Sequence, residues 1–205
     1  MRDDHEMQQL AQKMLETAIE AVEAHSDYRL LRRIPETYSC INRYPKMPLT
    51  RIAVLDCETS GLDAERDRII ELAIGTLLVD ASGQAVAADE PVSWLEDPGK
   101  PLSGEVQRVT GLTDADLQGQ ALDERDIEDL LSCADVIVAW NASFDAPFFE
   151  KRLPQLAGRP WACAMREIDW PAYGIEGRAQ AHVLSQLGSC RSSATSTKRI
   201  APQRM

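Results

Sequence analysis

The sequence predicts an α/β fold, a mixed sheet with helices packed against it. Three features carry that prediction. Apolar segments at 51–56, 68–79 and 84–94 follow one another, with a turn at 80–83 between the second and third. That is the pattern of an antiparallel meander. Beyond it, helical and strand-like segments alternate, as they must where further strands join a sheet in parallel. The 205 residues are 44% hydrophobic, enough for one domain-sized core and an extension.

Taken in order, the chain opens on an amphipathic stretch, 6–33. Met7, Leu10, Ala11, Met14, Leu15, Ala18, Ile19 and Val22 recur at three- and four-residue steps, the helical period. A helical extension over 1–34 follows, one that packs on the main domain or joins two copies as a homodimer. Residues 35–50 hold Pro35, Pro45 and Pro48 and no period, and read as a linker. The main domain runs from 51 to 188. Its first strand, 51–56, is apolar on both faces and is expected at the centre of the sheet. Short helices are expected at 103–109, from Thr113 as an N-cap, and at 122–132. A buried strand covers 135–140, a helix runs from about Phe144 to Leu153, a fifth strand spans 162–169 and a last helix 177–187. Residues 189–205 carry Arg191, Lys198, Arg199 and Arg204 but no acid, and read as a disordered basic tail.

The net charge of −11 argues against a broad basic surface that holds nucleic acid non-specifically. It leaves room for an enzyme that meets a polyanion through metal ions in a cleft. Five scattered cysteines form no C-x-x-C pair, so zinc and a disulfide framework are not expected and a reducing cytoplasm is. No apolar run approaches the ~18 residues of a membrane span, and the polar start is not a signal peptide.

The chemistry sits at strand ends. Asp56 and Glu58 flank Cys57 where the first strand breaks into Thr59-Ser60-Gly61-Leu62. Residues two apart on a strand share a face. Two carboxylates so placed repel, and keeping both ionised calls for a cation. Asn141-Ala142-Ser143-Phe144-Asp145 follows the later buried strand, with Asp145 in a first helical turn, where a carboxylate is favoured. If the two strands are neighbours, Asp56, Glu58 and Asp145 meet at one end of the sheet, a donor set for Mg²⁺ or Mn²⁺.

These segments resemble the DEDD 3′–5′ exonucleases, in particular the type of the epsilon proofreading subunit of bacterial DNA polymerase III. Asp56-Cys57-Glu58-Thr59-Ser60-Gly61-Leu62 is similar to the first family motif, and Asn141–Asp145 to the second. Arg68–Ala73 and Val109–Asp114 resemble the segments between. The resemblance implies a ribonuclease H-like sheet and removal of nucleotides from 3′ ends of single-stranded DNA, with RNA as an open alternative. It implies a DNA polymerase as a possible partner. Asp56, Glu58 and Asp145 would ligate two Mg²⁺ or Mn²⁺ ions, one activating water and one stabilising the leaving oxygen. Thr59, Leu62, Asn141 and Phe144 would line the groove for the terminal nucleotide, holding it by stacking and apolar wedging.

The chain departs from that pattern at its end. The family's third motif, His-x-Ala-x-x-Asp, has no counterpart, because 189–205 contain neither His nor Asp and the last acid is Glu176. His182 lies within the pattern of the last core helix and lacks the Asp at the required spacing. The expectation is therefore a C-terminally truncated or frame-shifted fold, without a general base and without the helix that covers one sheet face. An exonuclease with lost or impaired activity and a non-catalytic binding module on the same fold both follow from that departure.

Overall fold

The computed structural model describes residues 2–24, 32–33, 49–187, 189–190 and 199–200. In chain order the elements are α1 (Arg2–Glu23), β1 (Arg32–Arg33), β2 (Thr50–Thr59), β3 (Ile69–Val79), β4 (Ala85–Ala88), β5 (Val92–Leu95), α2 (Gly104–Thr110), α3 (Asp114–Leu117), α4 (Glu124–Ser132), β6 (Val136–Ala139), α5 (Ala142–Arg152), β7 (Trp161–Cys163), α6 (Ala164–Glu167), α7 (Gln180–Gln186), β8 (Ser189–Cys190) and β9 (Arg199–Ile200). They fall into two compact units. The larger holds 37–169 with 196–205, and the smaller holds 1–36 with 170–195.

The larger unit is built on a sheet of order β7-β6-β2-β3-β5-β9, with β4 also on β3. β2 runs antiparallel to β3 and parallel to β6. β3 pairs antiparallel with β5, and β6 pairs parallel with β7. This is the meander followed by parallel strands that the sequence predicts. Asp80 holds the hairpin turn by accepting from the amides of Ser82 and Gln84, and Gly83 takes the positive φ of 84° that the turn requires.

Strand alternation fixes the core. Ala53, Leu55 and Cys57 of β2 are buried with Leu72 and Ile74 of β3, against Phe148, Phe149 and Leu153 and the α4 residues Ile127 and Leu131. The opposite face of β2 is open, with Val54 at 46% exposure. β2 thus lies inside the sheet, as expected from its apolar sequence, with only one of its faces in the core. α5 is anchored at its far end by Arg152, which bonds Glu96 beyond β5 and Glu124 on α4.

Several expected boundaries move. The strand expected at 84–94 divides into β4 and β5 around Pro91, which has no N–H to give the ladder. The strand expected at 162–169 stops at Cys163 and becomes α6, where the Glu167 carboxylate accepts from the Cys163 amide. The proline linker lies outside the described residues, apart from Leu49 and Thr50. Of the tail expected to be disordered, only Ser189–Cys190 and Arg199–Ile200 are described, as two-residue strands paired with β1 and β5.

In the smaller unit α1 leaves Met7, Met14 and Leu15 exposed, while Trp170, Ile175 and Val183 are buried. His182 is exposed on α7. No helix among the described residues is long and apolar enough to cross a membrane.

Candidate active site

β2 sets the site. Its even-numbered face carries Asp56, exposed, and Glu58, half-buried. Across β3 the partner of Glu58 is Glu71, a further acid on the same face, which the sequence reading missed. Like charges directly opposite on paired strands are unfavourable. The ladder then breaks, since its register shifts between Glu58 and Thr59. A bulge of this kind bends a strand and re-aims its side chains, and bulges recur beside active sites.

β6 brings the other half. Because β6 is parallel to β2, its end delivers α5 to the same edge of the sheet as Glu58. Asn141 occupies the N-cap position of α5 without a side-chain cap bond. Its carboxamide oxygen accepts from Ser143 Oγ at 2.8 Å, and its carbonyl accepts from Phe144 N at 2.7 Å. One turn into the helix, Asp145 is 5% exposed, and its Oδ1 accepts from Cys57 N at 3.1 Å. The peptide between Asp56 and Glu58 is therefore fastened to the third acid. Burial pushes the Asp145 carboxyl up to about 6, with the charges of Asp56 and Glu58 adding to the shift. Burial, then the charge of Asp145, also pushes the Cys57 thiol well up, which keeps it neutral and a poor nucleophile.

The acids offer hard oxygen donors, the chemistry that Mg²⁺ or Mn²⁺ takes, and their mutual repulsion is what a cation would relieve. The Cys57 amide engages Oδ1 of Asp145. Among the described residues, no group of three or more His, Cys, Asp or Glu is gathered as a ready-made cage. The donor set fits a divalent ion in chemical type, with Asp56 and Glu58 within electrostatic reach of Asp145.

Beside the acids lies a groove of about 310 Å³ lined by 57–62, Ser103, Glu105, Val106, Val109, Thr110 and Phe144. It contains Glu58, Thr59, Leu62 and Phe144 of the residues proposed from sequence, and not Asp56, Asn141 or Asp145. Leu62 stands at 88% exposure on one rim and Val109 at 67% on the other. Phe144 lines the groove and makes a tilted contact with Phe148, centroids 5.1 Å apart. Thr59 is buried, its hydroxyl donating to the Gly61 carbonyl. The α2 wall was not read from sequence, although Val109 and Thr110 lie in a segment that carried the resemblance. A larger open depression, about 510 Å³, lies along 97–101 and 114–118. Its acids Asp97 and Asp114 are committed to the amides of Gly99, Gly119 and Leu102.

The sequence model of the RNase T-type exonuclease family matches residues 53–170. The chain belongs to the DEDD-type 3′–5′ exonuclease family. Among curated relatives, the PolC-type DNA polymerase III of Thermotoga maritima is 33% identical over 138 residues, 66% of this chain and 9% of that protein. The Bacillus subtilis PolC-type enzyme is 33% identical over 121 residues, 56% of this chain and 8% of the relative. The chain thus spans under a tenth of the length of these relatives. Solved exonucleases share the fold. Escherichia coli exonuclease I, in a zinc-bound complex with single-stranded DNA, superposes with a TM-score of 0.52 at 17% identity, over 71% of this chain and 36% of that one. Exonuclease X with 5′-overhanging duplex DNA gives 0.50 at 23%, over 73% and 81%. The ribonuclease H-like architecture of this exonuclease family is the one found here.

Proposed function

We propose that the chain is a divalent-metal-dependent 3′–5′ exonuclease centre acting on single-stranded DNA ends, with low turnover because it lacks the His of the third motif. The observation that carries the reading is Asp145, seated on the Cys57 amide between Asp56 and Glu58, beside an apolar groove. Asp56, Glu58 and Asp145 hold the ion, with Glu71 adding negative potential across the strand. A bound divalent ion supplies Lewis-acid activation of water and charge neutralisation at the scissile phosphate. Leu62 and Val109 receive the terminal base between two apolar rims, and Phe144 offers it a ring to stack on. The Cys57–Asp145 bond holds the acids in register with that groove. Missing general-base catalysis costs ~10²–10⁴-fold in rate. The PolC-type relatives support a DNA polymerase as the partner.

The test is release of mononucleotides from a 3′-labelled single strand in Mn²⁺. Slow release from the 3′ end is expected, abolished by chelator and reduced at least ~100-fold in Asp56→Asn. Release from 5′ ends, or from RNA alone, sinks the polarity or the substrate. The absence of any acid after Glu176 favours one second reading, a non-catalytic nucleic-acid-binding module. Binding of the strand without any release decides for it.

A further inference from the structure

The two walls of the groove belong to separate stretches of chain, the turn after β2 and the helix α2. Two side chains outside the groove connect them. Lys100 Nζ donates to Asp67 Oδ1 at 3.1 Å. Asp67 closes the turn that carries Leu62, and its Oδ2 accepts from Asp63 N at 3.1 Å. Lys100 lies three residues before Ser103, the N-cap of α2, whose side chain accepts from Val106 N.

Each partner is held in place independently. Asp67 is mostly enclosed, at 17% side-chain exposure, and its own amide donates to the Asp63 carbonyl at 2.7 Å. The Lys100 segment is pinned on both sides, where Gly99 N donates to Asp97 and Leu102 N donates to Asp114. A second cation secures the same turn from α5, with Lys151 Nζ donating to the carbonyls of Ala64 and Glu65. The turn is therefore tied to both neighbouring walls, by Lys100 on the α2 side and by Lys151 on the α5 side.

Gly61 shows that the seat of Asp67 is built into the turn. A Cβ at residue 61 would lie 2.2 Å from Asp67 Oδ2, inside any allowed contact. The glycine between Thr59 and Leu62 thus leaves room for a carboxylate rather than for an unusual φ, since its φ is not among the positive ones.

We propose that Asp67 and Lys100 form a clasp that sets the spacing between the Leu62 rim and the Val109 rim, and so the grip on the terminal nucleotide. Both are positioning residues, because neither lines the groove. The proposal rests on the reading of that groove as the seat of a 3′-terminal nucleotide, and deepens it.

The experiment measures fluorescence anisotropy of a short 5′-labelled oligothymidine in Mn²⁺, its last linkage a nuclease-resistant phosphorothioate. A second probe has an abasic 3′-terminal sugar. Lys100→Met is expected to bind the full oligonucleotide ~3-fold more weakly, the scale of a partly exposed ion pair, with an unchanged melting temperature. Asp67→Asn, which removes the charge from the other half of the pair outside the groove, reproduces the loss, and Lys100→Arg keeps wild-type affinity. All variants bind the abasic probe as the wild type does. Equal affinity of Lys100→Met and wild type for the full oligonucleotide overturns the clasp. So does an equal loss on the abasic probe, which is a general structural effect. No binding by the wild-type chain overturns the groove reading itself, and the clasp with it.

Discussion

Asp145 is costly to the fold at neutral pH. Its carboxyl is raised from 3.8 to about 6 by burial and by its acidic neighbours. A folded-state value above the unfolded one means that the folded chain holds the proton longer. Stability then falls as pH rises between about 4 and 6, by about 3 kcal/mol in all. Asp145→Asn keeps an oxygen acceptor for the Cys57 amide and removes the charge. In chelator, urea unfolding of this variant is expected to show ~2–3 kcal/mol more stability than wild type above pH 7, with the two converging near pH 4. A variant less stable than wild type at pH 7.5 contradicts the burial argument. The sequence makes Asp56, Glu58 and Asp145 legible because strand alternation and a helix start are local properties. Glu71, Asp67 and Val106 are not legible in the same way. Their roles come from cross-strand register and from the packing of one loop on another, which no local pattern specifies.

Among the elements, β2 shows how far a local pattern reaches. Ile52 and Val54 make it apolar on both faces, and the sequence correctly puts it inside the sheet, yet the core takes only the face of Ala53, Leu55 and Cys57. The two faces should respond differently to substitution. Leu55→Ala, at a residue 1% exposed, is expected to cost ~2–5 kcal/mol in chemical denaturation. Val54→Thr on the open face is expected to stay within ~0.5 kcal/mol, and a large loss there would mean that the face is covered. The broken third strand and the early end of β7 have a common cause. In each case one residue, Pro91 or Glu167, changes what the backbone can pair with, and an apolar run reads as strand on both sides of it.

For the molecule as a whole, the feature of most consequence is the apolar stripe of α1. Met7, Met14 and Leu15 are exposed on it, although the helical period was plain in the sequence. An amphipathic helix gains its stability by burying that stripe, and a second copy of α1 presents the same one. We expect the wild-type chain to sediment as a dimer at micromolar concentration and Leu15→Glu to shift it to monomer. A monomer at all concentrations removes the self-association reading. What the helix packs against could not be read from the period, because amphipathicity states that a face is buried and not by what.

The bond between Cys57 and Asp145 spans 88 residues. During synthesis at ~5–20 residues per second, its two halves leave the ribosome about 4–18 s apart. β3 emerges soon after β2 and pairs with it at once, but the edge of β2 that belongs to β6 stays open for that interval. An open strand edge invites pairing with other chains. The arrangement that assembles the acids from distant segments therefore makes the nascent chain most prone to aggregate before Asp145 reaches Cys57.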